Sequence, residues 1–216
     1  MTRVKICGNT RLEDARQAVE AGADLLGFIF YPKSPRKISI GNARAISRAL
    51  RGRAILVGVF VNDPIEEVED TLAEAELDLA QLHGDETLAT VAAFGGAAFK
   101  AMKGAMAAGA SAEEYAGAGP TEPNWPQLML DADHATLYGG TGQRANEGLA
   151  ALLARQHRLL LAGGLTPDNV AAAIAAVRPW GVDVASGVEA EPGHKDHARV
   201  TEFIAQARKQ DMRESA

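Results

Sequence analysis

Ile55-Leu56-Val57-Gly58-Val59-Phe60-Val61-Asn62 is a short β-branched run that breaks at Asn62-Asp63-Pro64 and gives way to a helical pattern over residues 65–75. A strand followed at once by a helix is the repeating half of a parallel βαβ unit. Side chains on a strand alternate between its two faces, so Val57, Val59 and Val61 share one face and Gly58, Phe60 and Asn62 the other. The all-valine face is expected to meet the helices, and the mixed face to point to the centre of the sheet.

Working outward in both directions, the same alternation recurs. Strand-like runs fall at residues 3–6, 25–30, 54–61, 77–82, 97–102, 127–130, 158–161 and 181–185, and helical patterns follow at 12–21, 42–50, 65–75 and 167–176, among others. Eight such units are the number that closes a (β/α)8 barrel, the TIM-barrel architecture, and a chain of 216 residues accommodates them. An open doubly wound sheet is the alternative; eight evenly sized units argue against it. The stretch 104–126 is rich in Ala, Gly and Pro and is read as a long fifth loop with a short helix near 112–116. No linker or charge run divides the chain, so a single α/β barrel domain is expected over 1–210, with a polar tail over 211–216 that frays.

Composition narrows the function. With 47% hydrophobic and 23% charged residues the chain has the make-up of a globular domain with an ample core. Lys and Arg number 22 against 28 Asp and Glu, a net charge of −6, which argues against nucleic acid as a partner. No stretch approaches the roughly 18 apolar residues of a membrane span, and the start MTRVKICGNT has no apolar signal core. The one cysteine rules out an intramolecular disulfide and a multi-cysteine zinc site, and a reducing, cytoplasmic setting is expected. No pair of histidines stands with a carboxylate at metal-ligand spacing, so no metal is expected.

The active site of such a barrel lies at the C-terminal ends of its strands. Glycines gather there, most densely in GGTG (139–142), AGGLTPDN (162–169) and ASGVE (185–189). Backbone N–H groups at glycines can approach an anion closely, and the loops after strands 7 and 8 are where barrels of this kind often hold phosphate. Tight turns alone would also use such glycines. By the period of two, Lys5, Cys7 and Asp183 face inward, Gln81 and His83 share a face, and so do Met129 and Asp131. Cys7 is either a buried small apolar residue or a base or nucleophile activated by a nearby cation. Asp131 follows an apolar Leu-Met-Leu run, which favours its protonated form and suits a general acid; a turn or cap aspartate is the other reading. Arg36 could clamp a carboxylate in bidentate fashion or lie solvated in its loop.

The segments KICGNT (5–10), GFIFYPKSPRKIS (27–39), VGVFVN (57–62), QLHGDE (81–86), LMLDA (128–132), YGGTG (138–142), LAGGLTPDNV (161–170) and VDVASGVE followed by PGHKD (182–196) together resemble the phosphoribosylanthranilate isomerases of tryptophan biosynthesis, in the family's order. The resemblance implies an Amadori rearrangement of N-(5-phosphoribosyl)anthranilate to 1-(2-carboxyphenylamino)-1-deoxyribulose 5-phosphate, the third step from chorismate. It implies Cys7 as general base, Asp131 as general acid, and Arg36, His83 and Asp183 as substrate contacts, with phosphate held at Gly142, Gly163, Gly164, Ser186 and Gly187. No cofactor is implied, because the Schiff base formed on ring opening is the electron sink. The expected partner is a small phosphorylated molecule, to a monomer or a homodimer. Two segments depart from the family's usual pattern: Gln143–Asn146 after GGTG, where an aromatic-acidic-Trp segment is usual, and ASGVE in place of SSGVE. Other readings are a histidine-pathway aminoaldose isomerase, which uses two aspartates, a thiamine-phosphate synthase, which needs a magnesium-binding carboxylate cluster, and a non-catalytic phosphosugar-binding protein. Strand 1 offers Cys7 in place of an aspartate against the first, the sequence shows no such carboxylate cluster for the second, and the presence of both Cys7 and Asp131 argues against the third.

Overall fold

Each strand is followed by a helix that covers it, and the eight pairs close on themselves. The computed structural model describes residues 1–103, 111–131 and 143–214, with backbone alone at 111, 143–147 and 210–214. The order is β1 (Arg3–Ile6), α1 (Leu12–Ala21), β2 (Leu25–Ile29), α2 (Ile40–Leu50), β3 (Ile55–Phe60), α3 (Ile65–Ala75), β4 (Leu79–Leu82), α4 (Leu88–Ala93), β5 (Ala98–Lys103), α5 (Ser111–Ala118), β6 (Leu128–Asp131), α6 (Gln143–Gln156), β7 (Leu159–Ala162), α7 (Val170–Val177) and β8 (Gly181–Val184). A small antiparallel pair, β9 (Glu189–Glu191) and β10 (His194–Lys195), and a last helix α8 (His197–Glu214) complete the chain. Strands β1 to β8 run parallel in sequence order, and β8 closes on β1 with Lys5 level with Asp183. This is the eight-stranded barrel expected from the sequence. The fifth loop holds more helix than expected, since α5 spans Ser111–Ala118, and α8 runs past Lys209 to Glu214.

Local chemistry sets the ends of these elements. Ser39 and Thr87 cap α2 and α4 by accepting the backbone N–H of Asn42 and Thr90. Gly22 ends α1 at φ 105°, a left-handed conformation that glycine adopts without a Cβ clash. At the base of the barrel, Asp24 accepts the Val4 N–H at 2.8 Å and Asp78 accepts the Leu56 N–H at 2.8 Å, so the same device serves β1 and β3. Asp24 also receives Arg3 Nη1 at 2.7 Å and Arg208 Nη2 at 2.6 Å, tying α8 to the barrel floor.

The core has two parts. Inside the barrel lie Leu25, Val57, Leu79, Phe99, Met129 and Leu160, all fully buried. Between strands and helices lies a larger layer that includes Val4, Ile6, Phe28, Leu56, Leu161, Val182 and Phe203, and a third cluster around Phe60, Val68 and Val91. Each such large side chain contributes roughly 1.5–3 kcal/mol by leaving water. Interior positions of β1 and β8 are taken by Lys5 and Asp183 instead of apolar residues, which brings a charged pair into the barrel.

The facing expected for β3 is reversed. Val57 packs inside the barrel, while Leu56 and Phe60 pack against helices. Both faces of a parallel barrel strand are dry, so hydrophobicity cannot tell inside from outside. Register decides it: Val57 stands level with Gly27 and Leu79, both inward, and Gly58 with Phe28 and Ala80, both outward. Gly58 is small because Phe60 lies over it, only 2.6 Å from where a Cβ would sit, and stacked on Phe30 at 5.3 Å. Asn62 adopts φ 61° beyond the strand end, where strand alternation no longer applies.

Candidate active site

At the C-terminal mouth of the barrel a cavity of about 210 Å³ is lined by Cys7, Gln81, His83, Asp131, Asp183, Gly163, Gly164, Ser186 and Gly187, with Ile29, Val59 and Leu165 as apolar wall. Strand period and register together produce this gathering. Cys7 follows β1, Asp131 ends β6 and Asp183 lies on β8, each on the inward phase of its strand. Eight of the residues singled out from the sequence thus share one cavity. Gly142 lies outside the described residues.

Cys7 is a free, buried thiol with Lys5 beside it. Gly27 on β2 makes room for both: a Cβ there would lie 2.7 Å from Cys7 Sγ and 3.0 Å from Lys5 Nζ. Lys5 is fully buried and donates from Nζ to Asp183 Oδ1 at 2.7 Å. Burial pushes the Cys7 thiol up; Lys5 works against this, Asp183 with it, and the net direction is upward. Burial would pull the Lys5 ammonium down, but Asp183 and Cys7 outweigh it, so Lys5 stays charged.

Across the cavity a polar chain leads from β4 to β6. The buried Gln81 bonds through Nε2 to His83 Nδ1 at 2.9 Å, and His83 Nε2 meets Asp131 Oδ2 at 3.2 Å. The Asp131 side chain keeps 34% of its surface exposed, so a substrate can reach it.

Arg36 stands apart from this lining. Its guanidinium forks onto Glu189, Nε lying 2.9 Å from both oxygens and Nη2 2.7 Å from Oε2. Lys195, fully buried at its side chain, donates to the same carboxylate at 2.9 Å and to the Cys7 carbonyl at 2.6 Å. Arg36, Glu189 and Lys195 therefore link the loop after β2, the loop after β8 and the end of β1. Burial raises Glu189, but Arg36 and Lys195 reverse that and hold it below the usual carboxylate range.

The loops after β7 and β8 bring the glycine clusters together. Gly163 and Gly164 take φ 100° and 48°, and Gly187 packs so closely that a Cβ would fall 1.9 Å from the Leu165 carbonyl oxygen. Asn169 braces the first loop, accepting the Thr166 N–H at 2.8 Å and donating to the Gly164 carbonyl at 3.2 Å. Glu189, Lys195 and Asn169 are functional supports that sequence reasoning did not single out. The signal was present for Glu189 and Lys195, since both are charged residues inside segments otherwise read as binding loops. Among the described residues no group of three or more metal-ligating side chains occurs, and no helix is long and apolar enough to cross a membrane.

A family model described as N-(5'phosphoribosyl)anthranilate (PRA) isomerase matches residues 4–206. The chain is 46% identical over 211 residues to N-(5'-phosphoribosyl)anthranilate isomerase of Citrifermentans bemidjiense, covering 97% of this chain and 98% of that protein. It is similar to the crystal structure of phosphoribosyl anthranilate isomerase from Thermotoga maritima at a TM-score of 0.80 and 41% identity, covering 96% of this chain and 99% of that one. A further similar structure, at TM-score 0.77 and 39% identity over 96% of this chain and 99% of that one, is a phosphoribosyl anthranilate isomerase in complex with reduced 1-(o-carboxyphenylamino)-1-deoxyribulose 5-phosphate.

Proposed function

The chain belongs to the N-(5'-phosphoribosyl)anthranilate isomerase family, and on that premise we propose that it converts N-(5-phosphoribosyl)anthranilate to 1-(2-carboxyphenylamino)-1-deoxyribulose 5-phosphate with Cys7 as base and Asp131 as acid. The observation that carries the reading is that Cys7 and Asp131 line one cavity from β1 and β6, with the glycine loops after β7 and β8 on its rim. An acid and a base on different strands can act on one sugar carbon skeleton lying between them.

In this reading Asp131 gives a proton to the furanose ring oxygen as the C1'–oxygen bond breaks, and the anilino nitrogen lone pair forms the C1'=N bond. Cys7 then takes the C2' proton, and the C–H electrons become the C1'=C2' bond of an enolamine. Tautomerisation to the ketone completes the isomerisation with no change in atom count. The Lys5 ammonium beside Cys7 supports a thiolate during the step. No cofactor enters, since the protonated Schiff base accepts the electrons. The backbone at Gly163, Gly164, Ser186 and Gly187 would hold the phosphate through N–H groups that glycine lets come close. Arg36 would meet the anthranilate carboxylate through the Nη1 edge that its contacts with Glu189 leave over. A thiol base of this kind needs a reducing compartment, which accords with the cytoplasm.

The test is direct. Purified protein is given freshly prepared phosphoribosylanthranilate, and loss of its anthranilate-type fluorescence is followed; turnover is expected, and folded protein that gives none overturns the assignment. The same assay with the histidine-pathway aminoaldose in parallel measures whether the site also accepts that substrate.

A further inference from the structure

We infer that Gln81 is a positioning residue that fixes the imidazole of His83, and through it decides which oxygen of Asp131 faces the substrate with the proton. This inference rests on the acid role proposed for Asp131.

Gln81 lies on β4, level with Val59 on β3 and Phe99 on β5, and is 1% exposed. Its position is therefore fixed by packing within the barrel. An amide nitrogen only donates, so the Nδ1 that Gln81 Nε2 meets at 2.9 Å must be an acceptor. A neutral imidazole with a lone pair on Nδ1 carries its proton on Nε2. That Nε2–H points at Asp131 Oδ2, 3.2 Å away. Oδ2 then accepts a hydrogen bond whether the carboxyl is protonated or not, and the acid proton belongs on Oδ1.

A second observation supports a functional origin for this chain. Gln81 Oε1 is buried and has no hydrogen-bond partner among the described residues. Buried polar atoms are nearly always satisfied, and an exception calls for a reason. Turned over, the amide would present Oε1 to His83 and demand a proton on Nδ1, leaving the lone pair of Nε2 facing Asp131 Oδ2. The orientation seen satisfies the imidazole and the carboxylate and leaves the amide's own oxygen unpartnered. All three members of the Gln81–His83–Asp131 chain line the cavity.

The experiment uses protein labelled with ¹⁵N in its five histidines, with the His83 signals assigned by loss in His83→Asn. The expected result is an Nε2–H tautomer for His83 in the free enzyme. Gln81→Glu keeps the shape of the side chain but turns the donor into an acceptor, so the tautomer should change to Nδ1–H. Its kcat should fall by about tenfold with KM within about twofold, because the loss falls on the transition state and not on binding. Gln81→Leu should show a mixture of tautomers and a similar kcat loss. An Nδ1–H ring in the unmodified protein, or wild-type kcat in Gln81→Glu, overturns the inference. The tautomer is read without turnover, so a protein that fails to convert phosphoribosylanthranilate yet shows the Nε2–H ring would count against the assigned reaction and leave the Gln81–His83 arrangement standing.

Discussion

Lys5 Nζ and Asp183 Oδ1 meet at 2.7 Å inside the barrel, two residues before Cys7, which takes the next inward-facing position just past β1. The ammonium is already balanced by a carboxylate before the thiol ionises, so a thiolate adds an uncompensated negative charge to a dry site. That is why burial, reinforced by Asp183, prevails over Lys5 and the thiol is pushed up. A base with a raised pKa holds its proton over a wider range and becomes competent only as pH rises. The kcat/KM of the free enzyme should therefore climb on the alkaline side, by about tenfold per pH unit below the thiol's own titration. Cys7→Ser should lower kcat by roughly 10² or more and abolish that limb. A pH profile in which Cys7→Ser retains the alkaline rise would remove Cys7 as the base.

The same ion pair governs stability. Replacing one partner of a buried pair strands the other's charge and costs roughly 3–5 kcal/mol. Lys5→Met should lose stability in that range by denaturant unfolding, and Lys5→Met combined with Asp183→Asn should recover much of the loss. A double variant no more stable than Lys5→Met would mean that Asp183 does not carry the cost.

How much of this was legible in the chain depends on which physical signal each residue leaves. Lys5, Cys7, Asp131 and Asp183 were placed inward by the period of two, because a polar residue among apolar neighbours marks the phase of its strand. The facing of β3 came out reversed because Leu56, Val57, Val59 and Phe60 are all buried and carry no such mark; only pairing with β2 and β4 sets it. Arg36 reads from sequence as a loop cation waiting for a carboxylate, whereas its fork is occupied by Glu189, 153 positions away. No local pattern reports a partner at that distance. The glycine clusters were visible as clusters, but the reason Gly187 must be glycine is a carbonyl on another loop.

Asp131 is exposed enough to be reached, and among the described residues His83 meets it at Oδ2. Asp131→Asn preserves size and cannot donate a carboxyl proton. Its kcat should fall by roughly 10² or more while a phosphate-bearing product analogue binds with little change. Calorimetric titration of the analogue separates the two readouts, and a kcat within a few-fold of the unmodified protein would take the acid role away from Asp131.

Arg36 is set by Glu189 and Lys195 before any substrate arrives. Glu189 occupies its Nε and Nη2 donors, and the Nη1 edge left over is held in one plane in a way a lysine cannot reproduce. Arg36→Lys should raise KM by about tenfold or more with a smaller change in kcat, since the contact lies away from the reacting carbons. The decisive comparison is a substrate analogue that lacks the ring carboxylate: it should bind the unmodified and Arg36→Lys proteins alike. If the substitution weakens both ligands equally, Arg36 serves the loop and not the carboxylate.

Gly187 and Gly41 offer a matched pair for testing the phosphate loops. A Cβ at Gly187 would fall 1.9 Å from the Leu165 carbonyl oxygen, a backbone atom that cannot move without shifting the loop that begins at Gly163. A Cβ at Gly41 in α2 would meet nothing within 4 Å beyond its own stretch of helix, and alanine there should be harmless or stabilise by up to about 1 kcal/mol through helix propensity. Gly187→Ala must push the loops after β7 and β8 apart, and these are the two that would share the phosphate. Inorganic phosphate should protect the unmodified protein and Gly41→Ala alike against thermal unfolding, by the usual mass-action rise in Tm, and should fail to protect Gly187→Ala. KM should rise in Gly187→Ala by about tenfold or more. Equal protection of both variants would place the phosphate elsewhere in the cavity.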